Sequence, residues 1–430
     1  MTDSLALSDI ELAAIRADFP LLGHRLADGK ELVYLDTAAT SQRPRVVEEA
    51  MREFTENHNA AVHRGAHQLA AEATLAYEAA RAGVADFLGA SPEELVFTSG
   101  TTAGINLLVA SFLAASGNKS GGSSQRFAVG PGDRIVVTEA EHHSNLVPWQ
   151  RLAQLTGAEL AWLPVDSAGR IRLDEISRVI GPRSRIVAFT GASNVSGAVT
   201  PVAPLVDAAH QVGALTVMDA AQLAPHQPLD VGALRVDFAV LSAHKMLGPN
   251  GIGGLYGRAE LLQAMPPGSL GGSMVEIVTM REATFQPPPA RFEAGTQAVT
   301  QAVGWAAAIA YLNDLGMDRV AAQEHALTSR LLAGLARIPG LRVLGPAEAD
   351  GRIGAVALEI EGVHPHDAGQ FLDAEGIAVR VGHHCAQPIH RAMGVTSSTR
   401  ASLGLYNTAL EVDRFLDAVS QVRSYFGVGR

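Results

Sequence analysis

Three short stretches carry side chains able to do covalent chemistry. "RVGHHCAQP" (380–388) holds the one cysteine of the 430-residue chain, Cys385, behind His383 and His384. "VDFAVLSAHK" closes an apolar run on Ser242, His244 and Lys245, and "ALTVMDAAQ" closes another on Asp219, with Gln222 three residues on. A lysine at a strand end in a buried crevice has its ammonium disfavoured and becomes an amine that attacks carbonyls. A solvated or salt-bridged lysine is the commoner case. A carboxylate after an apolar strand must be paired or exposed, because burying a bare charge is costly. Asp219 reads equally as a helix cap, a metal ligand or the partner of a cationic ring nitrogen. The thiol is either a nucleophile, which needs a lowered pKa that His383, His384 and Arg380 could provide, or a small buried hydrophobe. A loop of glycine, histidines and proline is a poor place for the second.

These stretches have to be held by something, and the chain supplies a regular frame. Short apolar runs alternate with amphipathic ones: "ELVFTSG" then "TTAGINLLVASFLAA", "DRIVVTEAEHH" then "NLVPWQRLAQLTG", "RIVAFTGASN" then "VAPLVDAAHQVG". Such alternation predicts an α/β fold with a mostly parallel sheet covered on both faces. Ligands then bind beyond the carboxyl ends of the strands. At one end, Thr101 and Thr102 open a helix whose positive terminus suits a phosphate, although Thr101 alone reads as well as an N-cap. At another stands His142, able to stack on a flat ring, or else structural. A phosphate cradle, a carboxylate and an amine together match pyridoxal phosphate, with the lysine on the aldehyde, the acid at the pyridine nitrogen and the helix start on the phosphate.

From about residue 306 the pattern changes to long helical periodicity, followed by the short strands "LRVLG", "GAVALEI" and "AVRVG" and a last helix from about Glu411. The expectation is a large domain over 31–305 and a smaller α+β domain over 306–430, with 1–30 packing on the latter. "SGNKSGGSSQRF" (116–127) reads as a polar surface loop. The net charge of −11, without a Lys/Arg run, argues against a nucleic-acid surface. There is no spanning apolar segment and no basic n-region, and a single cysteine forms no internal disulfide, so the cytoplasm is the expected compartment and no membrane partner is expected. No P-loop occurs, and "GIGGLYG" has Tyr256 where a dinucleotide fingerprint needs its last glycine. His364, His366, His383, His384, Cys385 and His390 lack the spacing of zinc ligands, so no metal is expected.

Read together, "YLDTAATSQRP" (34–44), "AVHRGAHQLA", "EHHSNLVPWQ", "SNVSG", "DAAQ", "SAHKMLGPNGIG", "GGSM", "RFEAGT", "RVGHHCAQP" and "TRASLGLYNT", running on to "YNTALEVDRF" (406–415), resemble the SufS-type cysteine desulfurases of the class V aminotransferase group. The resemblance implies the fold-type-I PLP-dependent transferase architecture, with a seven-stranded, mostly parallel sheet. It implies Lys245 as the Schiff-base lysine, Asp219 at the pyridine nitrogen, Gln222 at the phenolic oxygen and His142 stacked on the ring. Thr101, Thr102, Ser242 and His244 would hold the phosphate, and Thr296 would reach the phosphate of a second subunit. Arg400 would grip the substrate carboxylate, assisted by Asn194 and Arg380, and His63 would line the substrate site. Gly191, Ala243, Ala103 and Gln297 depart from the family pattern, which usually has histidine, glycine, glutamate and proline there.

By the same resemblance L-cysteine would become L-alanine, its sulfur passing to Cys385 as a persulfide and then to a SufE- or SufU-like acceptor for iron–sulfur cluster assembly, in a homodimer. A selenocysteine lyase or cysteine-sulfinate desulfinase on the same scaffold is the nearest alternative. A sulfur-relay protein without catalysis and a zinc-binding regulator stand further off.

Overall fold

The computed structural model describes residues 5, 7–117 and 123–428. Residues 118–122, the middle of the Gly/Ser-rich stretch, lie outside them, and 123–127 form a short 3-10 turn. Seven strands make the main sheet, in the spatial order Leu95–Thr98, Gly253–Gly257, Phe238–Ser242, Leu215–Asp219, Ser184–Thr190, Arg134–Thr138, Glu159–Leu163. Only Gly253–Gly257 runs antiparallel to its neighbours. The sheet expected from the alternating sequence is present, with Glu159–Leu163 added as an edge strand.

Its two faces are both buried, which explains the nearly continuous apolar runs. Val187 and Phe189 enter one core cluster while Ile186 and Ala188 enter the other, the period-two alternation of a strand with no wet side. Helices therefore cover both faces, and the strand ends are where this sheet leaves room for a ligand.

A second, antiparallel sheet orders Leu341–Val343, Ala355–Ile360, Ser398–Ser402 and Arg380–Gly382. Helices Met317–Leu335, Pro365–Ala374 and Ala409–Tyr425 contribute Leu331, Leu372 and Phe415 to its core. Two features cross the expected joint near residue 305. Helix Val299–Leu315 runs straight through it and packs on Arg45–Asn57 and Gln68–Phe87, and the chain breaks only at Gly316 (φ 82°). The strand Val33–Tyr34 pairs in parallel with Ile377–Ala378 as a small sheet of its own, and Asp36 bridges Ser402, so this early segment packs with the second sheet and its core. No helix among the described residues is long and apolar enough to cross a membrane.

Candidate active site

A cavity of about 200 Å³ opens where the strand ends of the large sheet meet the cysteine loop. Its wall includes Thr101, Thr102, His142, Asn194, Asp219, Gln222, Ser242, His244, Lys245, Arg380, Cys385 and Arg400, so twelve of the fourteen residues singled out from the sequence meet there. Thr296 lines a different cavity, of about 550 Å³, and exposed His63 bonds Glu78 at 2.8 Å. The single chain brings neither to the first cavity.

At its floor, Asp219 ends its strand almost fully buried and accepts the Ala221 N–H at 3.0 Å. Burial raises its carboxyl above the usual range, and the charge of Lys245 pulls it back down. Lys245, in the short turn after Phe238–Ser242, is pushed down to about 8, by burial first, with Asp219 opposing the shift. An amine is thus available near neutral pH. Ser242 meets the opening of helix Thr101–Gly117: its hydroxyl accepts the Thr101 N–H and pairs with the Thr101 hydroxyl, both at 2.9 Å. Thr101 is therefore bonded across to another strand end and does not cap its own helix. Gly100 (φ 138°) lets the backbone pass there, since a Cβ would stand 3.2 Å from the Ser242 hydroxyl.

His142 lies four residues beyond its strand, at the start of a 3-10 turn, and its Nδ1 accepts the Ser144 N–H at 3.1 Å. Burial first, then the charge of Lys245, drives its pKa down to about 3, so the ring is neutral and its proton sits on Nε2. Behind it Glu141, fully buried, ties the turn to the next strand by accepting from Thr138 Oγ1 (2.6 Å), Asn145 Nδ2 (2.5 Å) and the Thr190 N–H (2.9 Å). Its carboxyl is raised to about 8 by burial. Nothing in the sequence pattern marked Glu141, because an acid inside "TEAEHH" looks like a surface residue until the strand ahead of it is known to be buried.

Cys385 is exposed, and with His384 it adopts a left-handed backbone (φ 54° and 49°). Two such non-glycine residues cost about 1–2 kcal/mol each, so the loop is held by other contacts. The His143 N–H donates to the Cys385 carbonyl (2.6 Å), Asn194 Nδ2 to the His384 carbonyl (2.7 Å), and the Gln387 N–H to His143 Nε2 (3.1 Å). Beneath it a directional chain fixes two buried rings. His390 Nδ1 faces the Ala386 carbonyl at 2.9 Å and must donate, which leaves Nε2 to accept from the Ser398 hydroxyl (2.9 Å). Ser398 then has only its oxygen left for His384, 2.9 Å away, so His384 carries its proton on Nε2. Burial and then Arg400 push His384 down to about 2. His384 is neutral and brings no positive charge to the thiol, which leaves proton acceptance, at an Nδ1 unpartnered among the described residues, of the two roles the sequence offered it.

Arg400 is 2% exposed, with NH1 on the Asn194 carbonyl (3.0 Å) and NH2 on Asp36 (3.2 Å). Burial lowers it to about 10, so it remains cationic. Asp36 also faces Arg380 at 3.5 Å. Among the described residues no cluster of His, Cys, Asp or Glu is arranged to hold a metal ion.

Residues 33–415 match the aminotransferase class-V family. The chain belongs to that family. It is 50% identical to "Probable cysteine desulfurase 2" of Mycobacterium leprae over 99% of both chains, and 46% identical to a cysteine desulfurase of Klebsiella pneumoniae, covering 96% of this chain and 98% of the other. Among solved structures, the apo cysteine desulfurase of Thermococcus onnurineus superposes with a TM-score of 0.87 at 38% identity, covering 96% of this chain and 98% of that one.

Class-V aminotransferases use pyridoxal phosphate, and the cavity fits that group: a buried amine, a buried carboxylate, hydroxyls at a positive helix end, a flat neutral imidazole, and a Gln222 amide whose Nε2 gives one of its two hydrogens to the Ala38 carbonyl (2.7 Å). The departures from the pattern have physical settings. At Gly191 a Cβ would stand 3.0 Å from Leu223, whose side chain takes the room a histidine would need. Ala103 and Gln297 line the larger cavity beside Thr296, away from Lys245, while Ala243 is fully buried. The sequence also passed over Asp36, although "VYLD" shows the same acid-after-apolar-run signature that singled out Asp219.

Proposed function

We propose that this cavity takes the sulfur from L-cysteine and hands it to Cys385, the chain being a pyridoxal-phosphate-dependent cysteine desulfurase. The observation that carries the reading is that Lys245, Asp219, His142, Arg400 and Cys385, from five separate segments, share one cavity.

Bound here, pyridoxal phosphate supplies an electron sink for the charge left when an amino acid loses its α-proton. Lys245 holds the cofactor and, once free, takes that proton; an amine with a pKa of about 8 is suited to both. Asp219 keeps the ring nitrogen protonated. Thr101, Thr102, Ser242 and His244 hold the phosphate, Gln222 serves the phenolic oxygen, and Asn194 braces both the His384 carbonyl and Arg400. Arg400 grips the substrate carboxylate with its planar fork, assisted by Arg380. His142, a neutral imidazole, would stack on the cofactor ring. The Cys385 thiolate attacks the substrate sulfur, an S–S bond forms as the C–S bond breaks, and protonation of Cβ and return of the α-proton to Cα give alanine.

The persulfide must leave, and Cys385 is exposed, which supports transfer to a SufE- or SufU-like acceptor protein for iron–sulfur cluster assembly in the cytoplasm. Thr296 and His63 lie away from the cavity of their own chain, which supports a homodimer in which a second copy supplies them. The chain divides in this reading into a large part around the seven-stranded sheet and a small part around the four-stranded one, with the joint near Gly316.

The test is alanine formation from L-cysteine, with a reductant present, by the loaded wild type and by Cys385→Ser. Alanine from the wild type and at least about a hundredfold less from the variant is expected, since removing a covalent nucleophile removes the step it carries. Equal rates would overturn the role of the thiol.

A further inference from the structure

Arg400 and Arg380 both line the cavity, and Asp36 is the only ion-pair partner of either among the described residues: Oδ1 stands 3.2 Å from Arg400 and Oδ2 3.5 Å from Arg380. The backbone that carries Asp36 is pinned. The Leu35 N–H bonds the Ala378 carbonyl (2.9 Å), the Ser402 N–H bonds the Leu35 carbonyl (2.7 Å), and Asp36 itself bridges Ser402 on the strand that carries Arg400. Two cations with one resident anion leave a single positive charge, which one carboxylate neutralises. Arg380 lies on the strand that leads into the Cys385 loop and shares the cavity wall with the thiol.

We infer that Asp36 is a specificity-determining residue that sets the guanidinium pair for a monoanionic amino acid, cysteine, against a dianionic one such as cysteine sulfinate. The inference rests on reading this cavity as a desulfurase site. With Asp36 neutral, the second guanidinium is uncompensated and welcomes a second acid group. A unit charge acting over several ångströms at intermediate dielectric changes such a preference by about tenfold.

The test is the ratio of kcat/KM for L-cysteine sulfinate to that for L-cysteine, measured within each loaded variant so that a general loss of activity cancels. Asp36→Asn is expected to raise the ratio about tenfold, Asp36→Glu to restore it, and Arg380→Gln to lower it. Binding of L-cysteate against L-alanine, read from the cofactor absorbance, should follow the same order without turnover. An unmoved ratio in folded Asp36→Asn overturns the inference; if that variant does not fold, an unmoved or raised ratio in Arg380→Gln does so. A wild type that makes alanine from neither substrate sinks the desulfurase reading instead, and the cysteate-to-alanine affinities then decide Asp36 on their own.

Discussion

A lysine and a carboxylate buried together could have locked each other as a charged pair, but in this cavity the desolvation of Lys245 outweighs the attraction of Asp219. The amine that captures an aldehyde is the unprotonated form, whose share rises with pH through the pKa. Uptake of pyridoxal phosphate by the apo-protein should therefore accelerate with pH around a midpoint near 8. Stopped-flow absorbance over a pH series measures this; a midpoint near 10.5, the ordinary value for lysine, would mean that the side chain is not desolvated in solution. Lys245→Ala should lack the visible band and the borohydride-fixed cofactor altogether. Arg400→Ala should keep the resting spectrum and raise KM for L-cysteine by about 50-fold, the loss of a charge-assisted bond of roughly 2–3 kcal/mol. An unchanged KM would remove its carboxylate role. At this scale the sequence was legible where a reactive side chain follows an apolar run, as at Asp219 and Lys245. It left His384 open between a positive charge and a proton acceptor, because protonation is set by Ser398 and His390, partners invisible in the local motif.

Elements decide how well these groups are held. Strand ends of the parallel sheet were readable from continuous apolar runs, which only a sheet buried on both faces produces. Ser398–Ser402 was not, since "STRAS" carries polar residues on both faces, all of them buried. Nor was the stop at Gly316, where helical periodicity continues unbroken across two helices. The consequence for stability lies in that unexpected strand. Ser398→Ala removes the acceptor of one buried imidazole N–H and the donor of another imidazole nitrogen, so it should cost about 2–4 kcal/mol in urea unfolding, the penalty of two buried polar atoms left unpaired. A loss below about 1 kcal/mol would show that the hydrogen-bond chain is not formed in solution.

For the whole molecule, one chain gathers Lys245, Asp219, His142, Arg400 and Cys385 at one cavity but leaves Thr296 at another. That placement is firmly built. Three residues before Thr296, Glu293 takes a bidentate grip from buried Arg81 (2.6 and 2.9 Å), the Phe97 N–H (2.7 Å) and the Tyr77 hydroxyl (2.9 Å). A segment so anchored does not fold back into its own cavity, so if Thr296 touches a phosphate it must be that of a second copy. Mixed dimers decide this. Chains carrying Lys245→Ala and chains carrying Thr296→Ala, unfolded together and refolded, should give hybrids in which one of the two cavities combines an intact Lys245 with an intact Thr296. After dialysis that cavity should retain pyridoxal phosphate as the wild type does, whereas Thr296→Ala alone should lose it about tenfold faster, as expected for a lost charge-assisted hydrogen bond. If the hybrids retain no more cofactor than the separate variants predict, Thr296 does not act across an interface; and if the chain sediments at 45.0 kDa rather than twice that mass, there is no interface for it to cross.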